Sequence, residues 1–287
     1  MSSKPLIAIT GVNGFLGSHL WRNLLTSAGC GLVCNRTGDF LFFHSEKVIR
    51  YEKLNDFFSE NSYSEIILYH CATKFENTNN PNSLEDLIQG NFRYPFELVK
   101  NFSKFGKVHF VNLNSYWQAL ENSVGNTRSN YAISKNLLLF NLESVISSEN
   151  VTNFFLYDTY GLGDTRQKLI PTLVRCLVEK SSLNISSPLS EINLSHVSDV
   201  VGTIEKMGQE KVGGEYQISH PRTLRVKDVV EVFTKISGHD LGTEFTRSMT
   251  DFSKVLPLKI AEIPDSWSPK VDLEDGLKLI IQSVDVR

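Results

Sequence analysis

An apolar run that stops on a glycine turn constrains this chain more than any other stretch. It reads Leu6-Ile7-Ala8-Ile9-Thr10-Gly11-Val12-Asn13-Gly14-Phe15-Leu16-Gly17. Four apolar residues bounded by a turn signal predict a buried strand, and the amphipathic segment His19 to Thr26 predicts the helix that follows. Strand, glycine turn and helix, in that order, make a phosphate-binding turn of a dinucleotide fold. Gly11 allows the sharp exit from the strand. Gly14 lets backbone approach a pyrophosphate, and Gly17 lets the helix lie close to the sheet. The spacing is Gly-x-x-Gly-x-x-Gly rather than the commoner Gly-x-Gly-x-x-Gly. Asn13, Gly14, Phe15, Leu16 and Gly17 are candidate cofactor contacts, because free N–H groups and positive dipole gather at a helix N-terminus.

Strand and helix patterns alternate to about residue 160. The expected fold is therefore α/β, a Rossmann-type doubly wound parallel sheet covered on both faces. Beyond that point the alternation fails. Residues 1–164 are read as the dinucleotide-binding domain, with about 192–220 returning to it, and 165–287 as mostly a smaller substrate-binding lobe. A chain of 287 residues can bury such a core unaided.

Several function classes fall away on composition. A net charge of −3 without a long basic run predicts neither a nucleic-acid partner nor an anionic membrane surface. Cys30, Cys34, Cys71 and Cys176 form no Cys-x-x-Cys pair and no His cluster joins them, so no metal site is expected. Leu6–Ile9 is too short for a leader's apolar core, and no run approaches the ~20 apolar residues of a membrane span. A soluble cytoplasmic protein is the expectation.

The second strand, Gly31-Leu32-Val33-Cys34, ends at Asn35-Arg36-Thr37. A carboxylate there would accept from the ribose 2′-OH of NAD, whereas an arginine suits the 2′-phosphate of NADP. Arg36 stands in that place, with Asp39 slightly late, so NADP(H) is expected over NAD(H). Val48–Tyr51 is a possible short strand and Leu54–Phe58 a short helix. Ile66–Ala72 is a buried strand whose end, Ala72-Thr73, would pass the cofactor. Helix is expected from Leu84 to Phe105, broken or kinked at Pro95 and containing Asn91. Strand Val108–Leu113 ends at Asn114-Ser115, and a polar loop 121–129 leads to helix Tyr131 to Ser147. Further on, Asp199 should cap a helix through Met207, and Gly238 should stop the helix Val226–Ile236.

The chemistry concentrates in Asn130-Tyr131-Ala132-Ile133-Ser134-Lys135. Four residues apart, Tyr131 and Lys135 project from one helix face. A lysine ammonium near a phenol favours the phenolate and pulls its pKa below about 10, which lets a tyrosine trade a proton near neutral pH. Ser115 ends the preceding strand, and in a parallel sheet such ends line the ligand crevice. Its hydroxyl can hydrogen-bond a substrate oxygen beside the tyrosine.

Taken together, the chain resembles the extended short-chain dehydrogenase/reductase family. Thr10 to Gly17 resembles its Thr-Gly-x-x-Gly-x-x-Gly turn, and Ser115, Tyr131 and Lys135 its catalytic triad. Asn91 resembles its helix asparagine, Tyr160-Gly161 its Asn-x-Tyr-Gly loop, and Trp267-Ser268-Pro269 its C-terminal Gly-Trp-x-Pro segment. Within the family, Tyr157 to Pro171 and Ile192 to Val201 resemble the reductases of nucleotide-linked 4-keto-6-deoxyhexoses, the CDP-abequose and paratose synthase type. Two features depart from the pattern: Asp158 replaces an asparagine, and the Ser115–Tyr131 separation is short for a sugar epimerase. The resemblance implies a nicotinamide cofactor held by the sheet, with Tyr157 beside it, and a nucleotide-sugar substrate in the C-terminal lobe. It implies ketone reduction in deoxysugar biosynthesis of the O-antigen kind, with Tyr131 as proton donor. An epimerase holding NAD is the alternative. A 4,6-dehydratase would carry an Asp-Glu pair after the Ser/Thr, where Tyr116-Trp117 stand here. Arg166 and Lys168 are candidates for the substrate pyrophosphate. The family's usual dimer faces are the helices at 84–105 and 131–147. The second of these carries Leu137, Leu138, Phe140 and Leu142 on more than one side, so a homodimer is expected.

Overall fold

The computed structural model describes residues 5–27, 31–34, 40–42, 48–49, 56, 58–59, 63, 65–76, 81–119, 129–245 and 259–284. Arg36, Asp39, most of the short helix expected at 54–58 and most of the loop 121–129 lie outside them. The chain divides into two compact units. The first is built within Met1–Leu156, Val201–Gln217 and Ile260–Glu262, and the second within Tyr157–Val200, Ile218–Lys259 and Ile263–Arg287.

In chain order the first unit holds β1 (Leu6–Thr10), α1 (Phe15–Ser27), β2 (Gly31–Cys34), β3 (Phe40–Phe42), β4 (Val48–Ile49) and β5 (Glu65–His70). It continues with α2 (Leu84–Ile88), α3 (Tyr94–Phe102), β6 (Lys107–Ser115), α4 (Asn130–Asn141) and β7 (Val151–Leu156). The second unit opens with β8 (Asp158–Tyr160), α5 (Leu169–Glu179), β9 (Asn184–Ile185), β10 (Glu191–Ile192) and β11 (Leu194–His196). Then α6 (Val197–Gln209) and β12 (Gly214–Ile218) lead back to the first, and β13 (Leu224–Arg225), α7 (Val226–Ser237), β14 (Glu244–Phe245) and α8 (Leu273–Gln282) complete the second.

The main sheet runs β12-β7-β6-β5-β1-β2-β3-β4. Pairs from β7 through β6, β5 and β1 to β2 are parallel. The expected doubly wound parallel sheet is present, with one correction at its edge. There β2, β3 and β4 pair antiparallel; β4 falls within the short strand expected at Val48–Tyr51, whereas β3 and the antiparallel pairing were not expected. The chain leaves β1 for β2 on one side, then returns to place β5 on the other. That reversal creates a topological switch point where a ligand crevice forms beyond the strand ends. The ends that meet it are Thr10, His70 and Ser115.

Alternation along the strands gives the core one face. Leu6 and Ala8, Ile66 and Leu68, and Val108 and Phe110 are buried with Leu98, Val99 and Phe102 of α3 and with Leu138 and Leu142. On the other face Tyr69 meets α6, its hydroxyl donating to the Glu205 carbonyl at 3.2 Å. A Cβ on Gly208 would strike that ring.

Three local expectations are refined. The long helix at 84–105 is two α-helices separated by a widened turn, Gln89–Arg93, bonded in the i→i+5 manner. Pro95 falls in the first turn of α3, directly after that widened turn. Asp199 does not cap its helix: it lies inside the first turn of α6, and its carboxylate accepts from the N–H groups of Lys270 (2.9 Å) and Val271 (3.0 Å). Gly238 does end α7, at φ +68°. The second unit has its own core, in which Tyr160, Leu173, Phe233, Leu277 and Ile280 are buried. No helix among the described residues is long and apolar enough to cross a membrane.

The turn after β1 shows where a single methyl group would be intolerable. A Cβ on Gly17 would collide with the Gly11 carbonyl oxygen, so Gly17 closes the turn itself rather than the helix–sheet gap. Gly17→Ala should lower the unfolding free energy by about 1–3 kcal/mol, the usual cost of overpacking, measured by denaturant titration at unchanged slope.

Candidate active site

The site begins at the β1 exit. Gly11 has φ +73°, which its lack of a side chain permits, and a Cβ there would sit 2.5 Å from the Ala72 nitrogen. The chain leaving β5 therefore passes directly over the turn. Thr10 Oγ1 accepts from Ala72 N–H at 3.1 Å and pairs with His70 Nδ1 at 2.9 Å. Burial lowers the His70 pKa to about 3, so the ring is neutral at the strand end. Gly14 N–H closes the turn onto the Gly11 carbonyl at 2.9 Å, and Ser18 N–H begins the α1 ladder on Gly14 at 2.9 Å. Asn13 and Gly14 are exposed, Phe15 and Leu16 are half-buried, and Gly17 is buried. An exposed glycine turn ahead of a helix N-terminus, beside a strand exit of small residues, fits a dinucleotide pyrophosphate.

Asn91 lies in the widened turn and is buried. Its side-chain oxygen accepts from Thr73 Oγ1 (3.1 Å) and Lys74 N (2.7 Å). Its amide nitrogen donates to the Lys74 carbonyl (2.9 Å) and to Ser134 Oγ (2.9 Å). All four bonding positions of the amide are thus taken within the protein. Asn91 ties the β5 exit loop, Ala72 to Lys74, to the middle of α4. Its side chain faces protein groups, and it acts on the loop that it holds.

Helix α4 starts at Ser129, which is extended (φ −70°, ψ 146°) and accepts from Ala132 N–H at 3.1 Å. That cap fixes the first turn, and with it Tyr131. Tyr131 and Lys135 share the buried side of the helix with Leu138. Lys135 is only 5% exposed, and its Nζ donates to the Leu113 carbonyl of β6 at 2.6 Å. The hydrogen bond that the lysine makes thus goes to the strand beneath it, two residues before Ser115. Burial pushes its ammonium down to about 8. Ser115 Oγ accepts from Trp117 N–H at 3.3 Å, which leaves the hydroxyl hydrogen available to donate. Where β6 nears its end, the face it shares with Phe110 turns polar. Asn112, Asn114 and Asn153 are buried there, with Asn153 Oδ1 accepting from both neighbours at 3.0 Å.

The structure adds residues that sequence reasoning missed. Phe75, 55% exposed in the loop beyond β5, stands edge-on to the Tyr131 ring with centroids 5.1 Å apart. Its signal was an aromatic residue amid polar neighbours. Gln118 and Asn136 join β6 to α4 through buried amides, and neither falls in any motif. Among the described residues no group of three or more His, Cys, Asp or Glu is placed to hold a metal ion.

A family model described as "NAD dependent epimerase/dehydratase family" matches residues 7–219, from β1 to the end of the main sheet. The chain belongs to that family. CDP-abequose synthase from Yersinia pseudotuberculosis is 26% identical over 248 residues, covering 82% of this chain and 86% of the relative. Among solved structures, UDP-glucose 4-epimerase from Thermotoga maritima, with UDP-glucose, superposes at a TM-score of 0.74 and 20% identity. It covers 96% of this chain and 97% of its own. An NAD-dependent NDP-hexosamine 5,6-dehydratase of tunicamycin biosynthesis gives a TM-score of 0.74 at 19% identity, with 99% of each chain covered. At such identities the likeness is one of fold.

In this epimerase/dehydratase chain the remaining candidates belong to the second unit. Tyr157 is buried, its N–H donating to the Ile218 carbonyl at 3.2 Å. Arg166 is engaged by a fork to Asp164, Nε to Oδ1 at 2.7 Å and a terminal nitrogen to Oδ2 at 2.8 Å, with a third bond to the Thr159 carbonyl at 2.6 Å. Lys168 meets Asp158 at 3.1 Å. Both cations proposed for a pyrophosphate are therefore paired with carboxylates. Asp158, which stands where the resemblance has asparagine, keeps its charge balanced by Lys168 ten residues on.

The buried lysine has a consequence for stability. Its folded pKa is about 8 against an ordinary 10.5, so between those values the unfolded chain binds more protons. Its contribution is fully present above about 10.5 and lost as pH falls through about 8. Lys135→Met should gain stability relative to the parent below pH 8, and that difference should shrink on raising the pH towards 10.5, read from denaturation midpoints of the cofactor-free proteins.

Proposed function

We propose that the chain is an NADPH-dependent reductase of the C4 ketone in a nucleotide-linked 4-keto-6-deoxyhexose, acting in deoxysugar biosynthesis. The observation that carries this reading is the joining of β6, which ends in Ser115, to the helix face of Tyr131 and Lys135, through the Lys135–Leu113 bond. Two further points support it. The residues after Ser115 are Tyr116 and Trp117, so the carboxylates that a 4,6-dehydratase needs are absent from that place. The likeness to CDP-abequose synthase spans most of both chains.

A bound reduced nicotinamide supplies hydride to the ketone carbon. Everything else falls to the chain's own groups. The Ser115 hydroxyl donates to the ketone oxygen and stabilises the charge that grows there. Tyr131 delivers the proton to that oxygen. Lys135, cationic below about 8, favours the phenolate that remains and offers its other N–H groups to the nicotinamide ribose. The glycine turn and the N-terminus of α1 hold the pyrophosphate, with Ala72 and Thr73 alongside. Arg36 selects the 2′-phosphate, so titration should give tighter binding of NADPH than of NADH. The second unit holds the nucleotide sugar. There Arg166 and Lys168 would have to exchange a carboxylate for a phosphate partner.

Phe75 offers the sugar an apolar surface beside Tyr131. Phe75→Ala should raise KM for the sugar while leaving cofactor affinity unchanged, measured by steady-state kinetics and cofactor fluorescence. We also propose a homodimer. Ile133, Leu137 and Phe140 recur at i, i+4 and i+7 on α4, opposite the buried Tyr131 face, and Phe140 is 72% exposed. Light scattering at micromolar concentration should return twice the chain mass, and Phe140→Asp should halve it.

The deciding experiment is stoichiometry with a panel of 4-keto sugars. A reductase consumes one reduced cofactor per product and stops without added NADPH. The fold shared with UDP-glucose 4-epimerase favours one rival, an epimerase with resident NAD. Sustained turnover without added cofactor would establish that rival instead. Tyr131→Phe should lower turnover by roughly 10²–10⁴ with cofactor binding nearly unchanged. Ser115→Ala should lower turnover alone.

A further inference from the structure

Two buried amides, unclaimed by any motif, connect the serine strand to the tyrosine helix. Ser115 N–H donates to Gln118 Oε1 at 2.9 Å, and Gln118 Nε2 donates to Asn136 Oδ1 at 2.9 Å. Gln118 is 1% exposed and Asn136 8%. Asn136 follows Lys135 directly, and Lys135 already reaches the Leu113 carbonyl. Two ties therefore run side by side from α4 to the end of β6. One seats the lysine; the other grips the serine's own backbone.

A strand end and the helix that follows it have no intrinsic reason to hold a fixed spacing. A buried amide left unbonded is costly, so the relay resists any displacement that would separate its members. Spacing matters at this site, because a 1 Å misplacement of a reacting group can cost about 10²-fold in rate. Ser115 Oγ itself accepts from Trp117 N–H at 3.3 Å, within the same short turn that the relay holds.

We propose that Gln118 is a positioning residue: its amide, anchored by Asn136, fixes Ser115 opposite Tyr131 so that both hydroxyls reach one substrate oxygen. This rests on the catalytic reading of Ser115 and Tyr131 above. Gln118 touches neither substrate nor cofactor; it acts through Ser115.

The test is a cycle with Ser115. Gln118→Met keeps the side-chain length and removes both hydrogen bonds. In the wild-type background kcat should fall about ten- to hundredfold with cofactor affinity held and the protein still fully folded at the assay temperature, its thermal midpoint lowered because Ser115 N–H and Asn136 Oδ1 lose their partner. In the Ser115→Ala background the same change should cost no more than about twofold, since the group it positions is gone. Gln118→Glu should recover most of the loss, because a carboxylate accepts from Ser115 N–H and the Asn136 amide can turn to donate. Should Gln118→Met fail to fold, Asn136→Leu removes the anchor from the other side and should give the same background dependence. Equal losses in the two backgrounds, or a loss that follows stability and cofactor binding, would overturn the proposal while leaving the reductase intact. The cycle is run on whichever turnover the wild type displays, ketone reduction or epimerisation. A wild type that shows neither overturns the functional reading and the positioning role together.

Discussion

The approach of the β5 exit to the β1 turn governs the geometry of the glycine turn and of the crevice beside it. Gly11 has no side chain, and the backbone at Cys71 and Ala72 fills the space that one would take. The Thr10 hydroxyl then caps the Ala72 amide, so two neighbouring parallel strands end at a fixed offset. That offset opens the crevice of the switch point and aims the α1 N-terminus into it. A single Cβ would push the strands apart, and both halves of the crevice would move with it.

The side that carries Ser115, Tyr131 and Lys135 is held by a different interaction. Apolar contacts dominate under Leu138, but toward the strand ends the sheet carries Asn112, Asn114 and Asn153 instead. Buried amides and a buried lysine are costly unless each is bonded, and bonding is directional. Here Asn91 secures the β5 exit loop to Ser134, Lys135 reaches β6 at Leu113, and Gln118 joins Ser115 to Asn136. Packing sets how tightly α4 lies on the sheet. The bonds of Lys135 and Asn136 tie it to the end of β6.

How much of this was legible in the sequence depends on distance along the chain. The β1–turn–α1 unit was readable because its parts are contiguous and each has a local steric rule. The same holds for the Gly238 stop and for the pairing of Tyr131 with Lys135 on one helix face. Of the antiparallel edge, β4 falls within the short strand expected at Val48–Tyr51, but β3 and the antiparallel pairing were not readable, since a three-residue strand without alternation leaves no periodic signal. Asp199 misled for a related reason. An acid at a helix start resembles a cap, yet its partners, Lys270 and Val271, lie 71 and 72 residues away.

The sequence alone determined the α/β class, the glycine turn, the buried strands and the chemical types of the candidate site residues. Those properties follow from periodicity, side-chain volume and bonding capacity, which each residue carries wherever it sits. Only the tertiary structure decided the partners. It gave Lys135 a carbonyl on β6 and placed Phe75 against Tyr131. It also made Gln118 and Asn136 a bonded pair. Hydrogen bonds and ring contacts need a defined distance and angle between residues far apart in the chain, and that geometry exists only once the sheet has brought them together.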